Sequence, residues 1–60
     1  MIIKLKRIEK GIKLQDFAKM LGISKVTLIR IEKGNYDIRL SLMEKISKLL
    51  ETPVQELFFT

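Results

Sequence analysis

Hydrophobic residues in this sequence recur every three or four positions, with charged residues between them. This spacing is typical of amphipathic α-helices, and no segment keeps the strict alternation that would indicate a half-buried strand. Glycines and a proline fall between the periodic segments, where they interrupt the helical pattern. The sequence therefore predicts an all-α fold of five short helices, at residues 3–10, 14–21, 25–33, 40–50 and 53–57.

The helix ends and the core positions follow from the same pattern. Left-handed residues that would end the first three helices are predicted at Gly11, Gly22 and Gly34. Thr52 precedes Pro53 and lies three residues before Gln55, which is the capping-box spacing and predicts Thr52 as the N-cap of the last helix. The apolar positions expected to line the helices' inner faces are Ile3, Leu5, Ile8, Phe17, Ala18, Leu21, Leu28, Ile31, Met43, Ile46, Leu49 and Leu50.

Length and composition limit what the chain can be. Its 60 residues are enough for a single domain, residues 1–60. Without cysteine or histidine it lacks disulfides and the usual zinc ligands, so apolar packing must hold the core, alone or with a second subunit. Twelve lysines and arginines against seven acidic residues give a net charge of +5, which favours a polyanionic partner such as nucleic acid or anionic lipid.

Several functional classes are disfavoured by what the sequence contains. An enzyme is not expected, because histidine, cysteine and a glycine-rich phosphate loop are missing and the carboxylates lie beside lysines. No apolar run approaches the roughly 20 residues that span a bilayer, and residues 1–4 do not open a signal peptide. We expect a cytoplasmic, nucleoid-associated protein that needs no cofactor, metal, membrane or small-molecule ligand.

The segment Gly22-Ile23-Ser24 joins the second and third predicted helices by a very short turn. Such a turn holds two helices near a right angle, so that the second can project into a DNA major groove. Ala18 supplies a small residue where the helices cross, Gly22 tolerates a positive φ angle, and Ile23 can point back into the core. This arrangement predicts a helix-turn-helix.

Residues 17–34 carry the strongest resemblance to a known family. They read FAKMLGISKVTLIRIEKG, and the lambda repressor and Cro-like helix-turn-helix (Xre-type) family pattern is roughly L-A-x-x-L-G-V-S-x-x-T-I-x-x-I-E-x-G. The resemblance implies a compact five-helix lambda-repressor-like DNA-binding domain with the helix-turn-helix at helices 2 and 3. It further implies a sequence-specific transcriptional regulator, acting as a repressor, and a structural ion pair between Arg7 and Glu32.

The predicted recognition helix, residues 25–33, contains the candidate base-reading side chains. With Leu28 and Ile31 turned to the core, the opposite surface of this helix faces outwards. Cations on it can reach guanine acceptors, and Thr27 can bond a phosphate or a base. The base-reading residues that we predict are Lys25, Val26, Thr27, Ile29 and Arg30.

Phosphate contacts are expected around the same two helices, from side chains and from the backbone N–H groups that open the second helix. The side chains that we predict for this role are Lys13, Gln15, Ser24, Lys33 and Asn35. The sequence departs from the family pattern in places. Lys13 and Leu14 stand where the family has Ser or Thr and then Gln, and Glu51 replaces the usual glycine after the fourth helix.

The apolar end of the chain is predicted to form a dimer interface. In the resembling family, two copies associate through the fourth and fifth helices, which sets two recognition helices about 34 Å apart on an inverted-repeat operator. Here the residues expected in such a homodimer are Val54, Leu57, Phe58 and Phe59, and Met1 and Ile2 could pair beside them as a short strand.

Two other functions compete with this interpretation. The same fold can serve as a protein-interaction module, an antitoxin-like or anti-repressor protein, with the exposed apolar pair Val26 and Ile29 binding protein instead of DNA. Binding to a membrane surface is less favoured, because the cations are spread over several helices instead of following one amphipathic face.

Overall fold

The computed structural model describes residues 2–59, and their regular structure is helical throughout. The five helices are α1 (Ile2–Glu9), α2 (Leu14–Leu21), α3 (Lys25–Lys33), α4 (Leu40–Leu50) and α5 (Val54–Phe58). The all-α prediction and the order of five helices are confirmed. The radius of gyration, 10.1 Å, is close to the roughly 10 Å expected of a folded chain of this length.

One apolar core joins the helices. Helix α3 packs on α1 and on α2, helix α4 packs on α2, and α5 is attached through α4. None of these helices reaches the length of about 12 to 15 residues at which an isolated helix becomes marginally stable, so mutual burial holds them. The buried apolar residues are Ile3, Phe17, Ala18, Leu21, Leu28, Ile31, Ile46, Leu50 and Leu57.

The left-handed residues after α2 and α3 end those helices as predicted. Gly22 has φ 71° and Gly34 has φ 81°, and each donates its backbone N–H to the last turn of its helix. Helix α4 ends instead on a non-glycine residue in the same conformation, Glu51, with φ 52°. A left-handed backbone is unfavourable for a residue with a Cβ, so the backbone at Glu51 is strained, whereas the backbone at Gly22 and Gly34 is not.

The Glu51 side chain has its own partner. The Lys10 ammonium, after the end of α1, donates a hydrogen bond to the Glu51 carboxylate. This hydrogen bond and the positive charge of Lys10 hold the pKa of Glu51 below its ordinary value of 4.5. The contact links the carboxyl ends of α1 and α4.

The prediction for the first helix was partly wrong. Helix α1 begins and ends one residue earlier than expected, and Leu5 and Ile8 are 61% and 55% exposed. The buried side of α1 is formed by Ile3 and Arg7, which are four residues apart and therefore share a face. Because Arg7 has a buried acidic partner, a charged residue takes the inner position and turns the two apolar residues to solvent.

The capping prediction for the last helix was also wrong. Pro53 is the N-cap of α5 and makes no side-chain capping bond. The Thr52 hydroxyl instead donates to the Leu50 carbonyl at 2.9 Å, and the Thr52 carbonyl accepts from Ser47 Oγ at 2.5 Å. Thr52 thus closes the end of α4 instead of opening α5.

Two smaller differences concern side chains and the amino terminus. Met43 and Leu49 are only half-buried, whereas Ile46 is fully buried. Ile2 is the first residue of α1, so the short strand predicted for Met1 and Ile2 does not form at Ile2, and Met1 lies outside the described residues. Within residues 2–59, no helix is long and apolar enough to cross a membrane.

Candidate nucleic-acid interface

The turn between α2 and α3 is built from backbone hydrogen bonds. The Gly22 N–H donates to the Lys19 carbonyl at 3.1 Å, and the Ile23 N–H donates to the Ala18 carbonyl at 3.0 Å. These two bonds satisfy carbonyls at the end of α2 that would otherwise lack partners. Ile23 is half-buried and packs against the core. The chain therefore leaves α2 and enters α3 along a fixed path.

Ser24 caps the amino end of α3. Its Oγ accepts the Thr27 backbone N–H at 3.1 Å and donates to Thr27 Oγ1 at 2.9 Å. The Ser24 hydroxyl thus has a capping role within the chain, and the hydrogen bond that it can donate goes to Thr27 Oγ1. Because Thr27 Oγ1 accepts in this contact, its own proton remains for an outside acceptor. Thr27 is half-buried at the edge of the exposed surface.

The outer surface of α3 combines cations with apolar side chains. Leu28 and Ile31 are buried on the inner side, and Val26 and Ile29 are 61% and 37% exposed on the outer side. The exposed residues of α3, which we call the α3 outer face, are Lys25, Val26, Ile29, Arg30 and Lys33. No other described residue of the chain covers this face enough to bury it.

The acidic residue of α3 does not lie on the α3 outer face. The single acidic residue of α3, Glu32, is 8% exposed, and its Oε2 accepts from Arg7 Nε at 2.8 Å. A second Arg7 nitrogen donates to the Ile12 carbonyl at 2.8 Å. The predicted ion pair is therefore present and buried, and it fastens α3 to α1 and to the loop that leads into α2.

A groove runs beside the α3 outer face at the start of α2. It lies between α1, α2 and α3, and Leu14 and Ile29 form its apolar part. Its rim contains Lys4 and Lys33, and the Arg7–Glu32 pair forms its base. The sequence did not single out Leu14 or Lys4 as site residues. The sequence did contain one indication for Leu14, because Leu14 stands where the resembling family has a polar residue.

Two helices are thus joined by a fixed glycine turn, and the second displays a basic surface. This is the arrangement of a helix-turn-helix. The sequence model described as helix-turn-helix matches residues 3–57, which is nearly the whole chain.

The chain belongs to the helix-turn-helix family.

Several relatives of this helix-turn-helix chain are named as transcriptional regulators. One, from Methanocaldococcus jannaschii, is named as an HTH-type transcriptional regulator and is 46% identical over 44 residues, covering 73% of this chain and 67% of the relative. Proteins of Saccharolobus islandicus and Saccharolobus solfataricus, named as HTH-type transcriptional regulatory proteins, are 42% identical over 48 residues. The match covers 80% of this chain but only 16% of each Saccharolobus protein.

The side chains predicted to contact phosphates lie around the helix-turn-helix. Lys13 is the N-cap residue of α2, but its side chain makes no capping hydrogen bond. Gln15 is exposed in the first turn of α2, and Lys33 and Asn35 are exposed at the end of α3. The Asn35 backbone N–H donates to the Arg30 carbonyl at 2.9 Å, so the donor that Asn35 can offer to a phosphate is its side-chain amide.

The residues predicted for a dimer interface divide into two groups. Leu57 is 2% exposed and belongs to the core of this chain, so its side chain offers no surface to a second copy. Phe59 is 67% exposed, and Val54 and Phe58 are half-buried. The two phenylalanines line an apolar groove that the sequence did not predict, together with Ile31, Gly34, Tyr36, Ile38 and Met43.

Proposed function

We propose that this helix-turn-helix chain is a sequence-specific regulator of transcription that binds double-stranded DNA with α3 in the major groove. The α3 outer face is the observation on which the proposal depends. It combines three cations with two exposed apolar residues, and the acidic residue of α3 is buried in an ion pair. Such a surface can attract phosphates and contact base edges at the same time.

The polar residues of α3 that we assign to base reading each have a suitable target. Arg30 can donate two hydrogen bonds to the O6 and N7 atoms of guanine, and Lys25 can reach the same acceptors. Thr27 can donate its hydroxyl proton to a base or a phosphate, with Ser24 holding it in place. We assign the base reading to these residues together with Val26 and Ile29.

Phosphate contacts complete the proposed complex. Lys13 and Gln15 at the start of α2, Lys33 in the last turn of α3 and Asn35 just after it all have exposed side chains. The amino end of α2 adds backbone N–H groups that no Lys13 side-chain bond covers, and such helix ends attract phosphate. These contacts fix the orientation of α3 on the duplex without reading its sequence.

We further propose a homodimer on an inverted-repeat operator, acting in the cytoplasm as a repressor that occupies its site. The exposed Phe59 and the apolar groove that it lines with Phe58 provide the surface that a second copy would cover, and we assign the half-buried Val54, at the start of α5, to the same interface. Analytical ultracentrifugation tests this. Phe59→Ser should abolish the dimer, whereas Leu5→Ser, at a residue of similar exposure on α1, should leave it intact. A dimer that persists in Phe59→Ser would place the interface elsewhere.

Selection of random-sequence DNA by the purified chain at moderate salt tests the function directly. We expect an inverted repeat to be recovered, and its affinity should fall steeply as salt rises. Arg30→Ala should weaken binding by about 1 to 3 kcal/mol and relax the preference at one base position, whereas Lys33→Ala should weaken all sequences alike and lower the salt slope by about one. A uniform loss from Arg30→Ala would contradict its assignment as a base reader.

A protein-interaction module is the second candidate, favoured by the exposure of Val26 and Ile29. An apolar protein interface should bind with little dependence on salt, in contrast to a phosphate-based one. Failure of the selection to enrich any duplex, even at low ionic strength, would favour this second function.

A further inference from the structure

An apolar strip crosses the surface that the proposed function gives to DNA. Val26 and Ile29 are three residues apart on α3, so they are neighbours on the same face. Ile29 continues into Leu14, with which it lines the groove at the start of α2. We call Val26, Ile29 and Leu14 the apolar strip.

The strip offers no hydrogen-bond donor or acceptor to a base edge. Most features of the major groove are polar, and an apolar side chain pressed against them removes their water without replacing it, which is unfavourable. The exception is the 5-methyl group of thymine, the one apolar feature in the groove of unmodified DNA. An apolar strip at this position therefore favours base pairs that present a methyl group.

The charges around the strip favour DNA over an apolar protein as its occupant. Lys4 and Lys33 line the groove, and Lys25 and Arg30 are exposed on α3 beside Val26 and Ile29. The acidic residue of α3 is buried under them in its pair with Arg7. A strip of methyl-bearing side chains between cations is complementary to a row of base methyl groups between phosphates.

We propose that this chain selects its operator mainly through pyrimidine 5-methyl groups, with Val26 and Ile29 each contacting the methyl group of one thymine and Leu14 supporting Ile29. This inference rests on the proposed function. Residues three apart on a helix are separated by about 4.5 Å along its axis, which is close to the roughly 3.4 Å between successive base pairs. The two thymines therefore lie on neighbouring base pairs in each half-site.

Replacement of thymine by deoxyuridine removes only the methyl group and keeps the hydrogen-bonding edge. In the duplex recovered by selection, each thymine is replaced in turn, and affinity is measured by fluorescence anisotropy at fixed salt. Removal of one buried methyl group should lower the affinity about fourfold, and we expect this loss at two positions of each half-site. 5-Bromodeoxyuridine, which carries a substituent of similar size, should restore the affinity at those positions.

Side-chain variants then assign each methyl group to its reader. Val26→Ala should remove the difference between thymine and deoxyuridine at one position, and Ile29→Ala should remove it at the neighbouring one. Leu5→Ala is the matched control, because Leu5 has the same 61% exposure as Val26 but lies on α1. It should leave both the affinity and the thymine preference unchanged, and circular dichroism verifies that each variant folds.

The outcomes distinguish a failure of the methyl readout from a failure of the proposed DNA binding. Sequence-specific binding that is indifferent to deoxyuridine at every position would overturn the methyl readout and leave the DNA-binding proposal standing. A thymine preference that persists in both alanine variants would overturn it as well, because another group would then read the methyls. If no duplex is enriched or bound at low salt, the proposed function fails and the inference fails with it.

Discussion

Breaking the Arg7–Glu32 ion pair should destabilise this domain more than any surface change. Both side chains are nearly buried, at 7% and 8% exposure, and Arg7 also donates to the Ile12 carbonyl. Removing one member of a buried pair leaves the other charge without compensation, which costs about 3 to 5 kcal/mol. The whole free energy of unfolding for 60 residues is roughly 3 to 9 kcal/mol, so Arg7→Met or Glu32→Met alone should populate the unfolded state.

The double variant Arg7→Met/Glu32→Met gives the decisive comparison. It removes both charges together and leaves the Ile12 carbonyl without its donor, a loss of about 1 to 3 kcal/mol. The double variant should therefore be no less stable than either single variant, because each single change includes the penalty of an unpaired buried charge. Additive losses would mean that the two residues do not act as a pair.

Chemical unfolding followed by circular dichroism measures these free energies. Since the single variants are expected near the limit of stability, all four proteins are unfolded in urea in the presence of an excluded osmolyte, which raises the stability of each folded state. Losses below about 1 kcal/mol in both single variants would refute the reasoning, since that is the range of an exposed ion pair.

Four further predictions concern the helix ends and the core. Gly22→Ala and Gly11→Ala should each lower the free energy of unfolding by about 1 kcal/mol, as measured by thermal unfolding. The two losses should be similar, because both glycines have φ +71° and nothing lies within 4 Å of an added Cβ. Unequal losses would indicate that one of the two positions has a packing role. Leu28→Ala, in the core, should cost about 2 to 5 kcal/mol, whereas Leu5→Ala should stay within about 0.5 kcal/mol, as measured by urea unfolding. Glu51→Gly should melt higher than Glu51→Ala, since both lose the carboxylate but only glycine relaxes the left-handed backbone. Because the folded-state pKa of Glu51 is lowered, its carboxylate stabilises the fold above pH 4.5 and loses that effect as the pH falls through the lowered value; the acid side of the stability curve should flatten in Glu51→Gln.

The local features of the helix-turn-helix could be predicted because each depends on neighbouring residues. Gly22 and Gly34 end their helices through a backbone conformation that glycine adopts without strain, and Ser24 caps α3 through a bond to Thr27, three residues away. Such short-range chemistry is present in the sequence itself. The same holds for the inner face of α3, where Leu28 and Ile31 have helical spacing.

The errors arose where a distant residue decides the outcome. Counting apolar residues placed Leu5 and Ile8 inside, because the apolar pattern takes no account of the Arg7–Glu32 pair, which joins residues 25 positions apart and which only the family resemblance implied. Thr52 had the spacing of a capping box, but its hydroxyl bonds backwards to the end of α4. Leu57 was assigned to a dimer surface from its apolar neighbours, although it fills the core of its own chain. In each case a tertiary contact overrides a correct local pattern.

The candidate site shows why its individual contacts were harder to predict than its position. The fold fixes the inner face of α3 in the core and leaves its outer face exposed, so it determines where Val26 and Ile29 lie but not what they read. Leu14 gains its significance only because α2 and α3 bring it next to Ile29. Since the Arg7–Glu32 pair, the Ser24 cap and the glycine turn all act on parts of α3 other than its outer face, that face can change its residues at little cost to the fold. If α3 reads DNA as proposed, specificity in this chain is therefore separable from stability, because the residues assigned to base reading are not those that hold the fold.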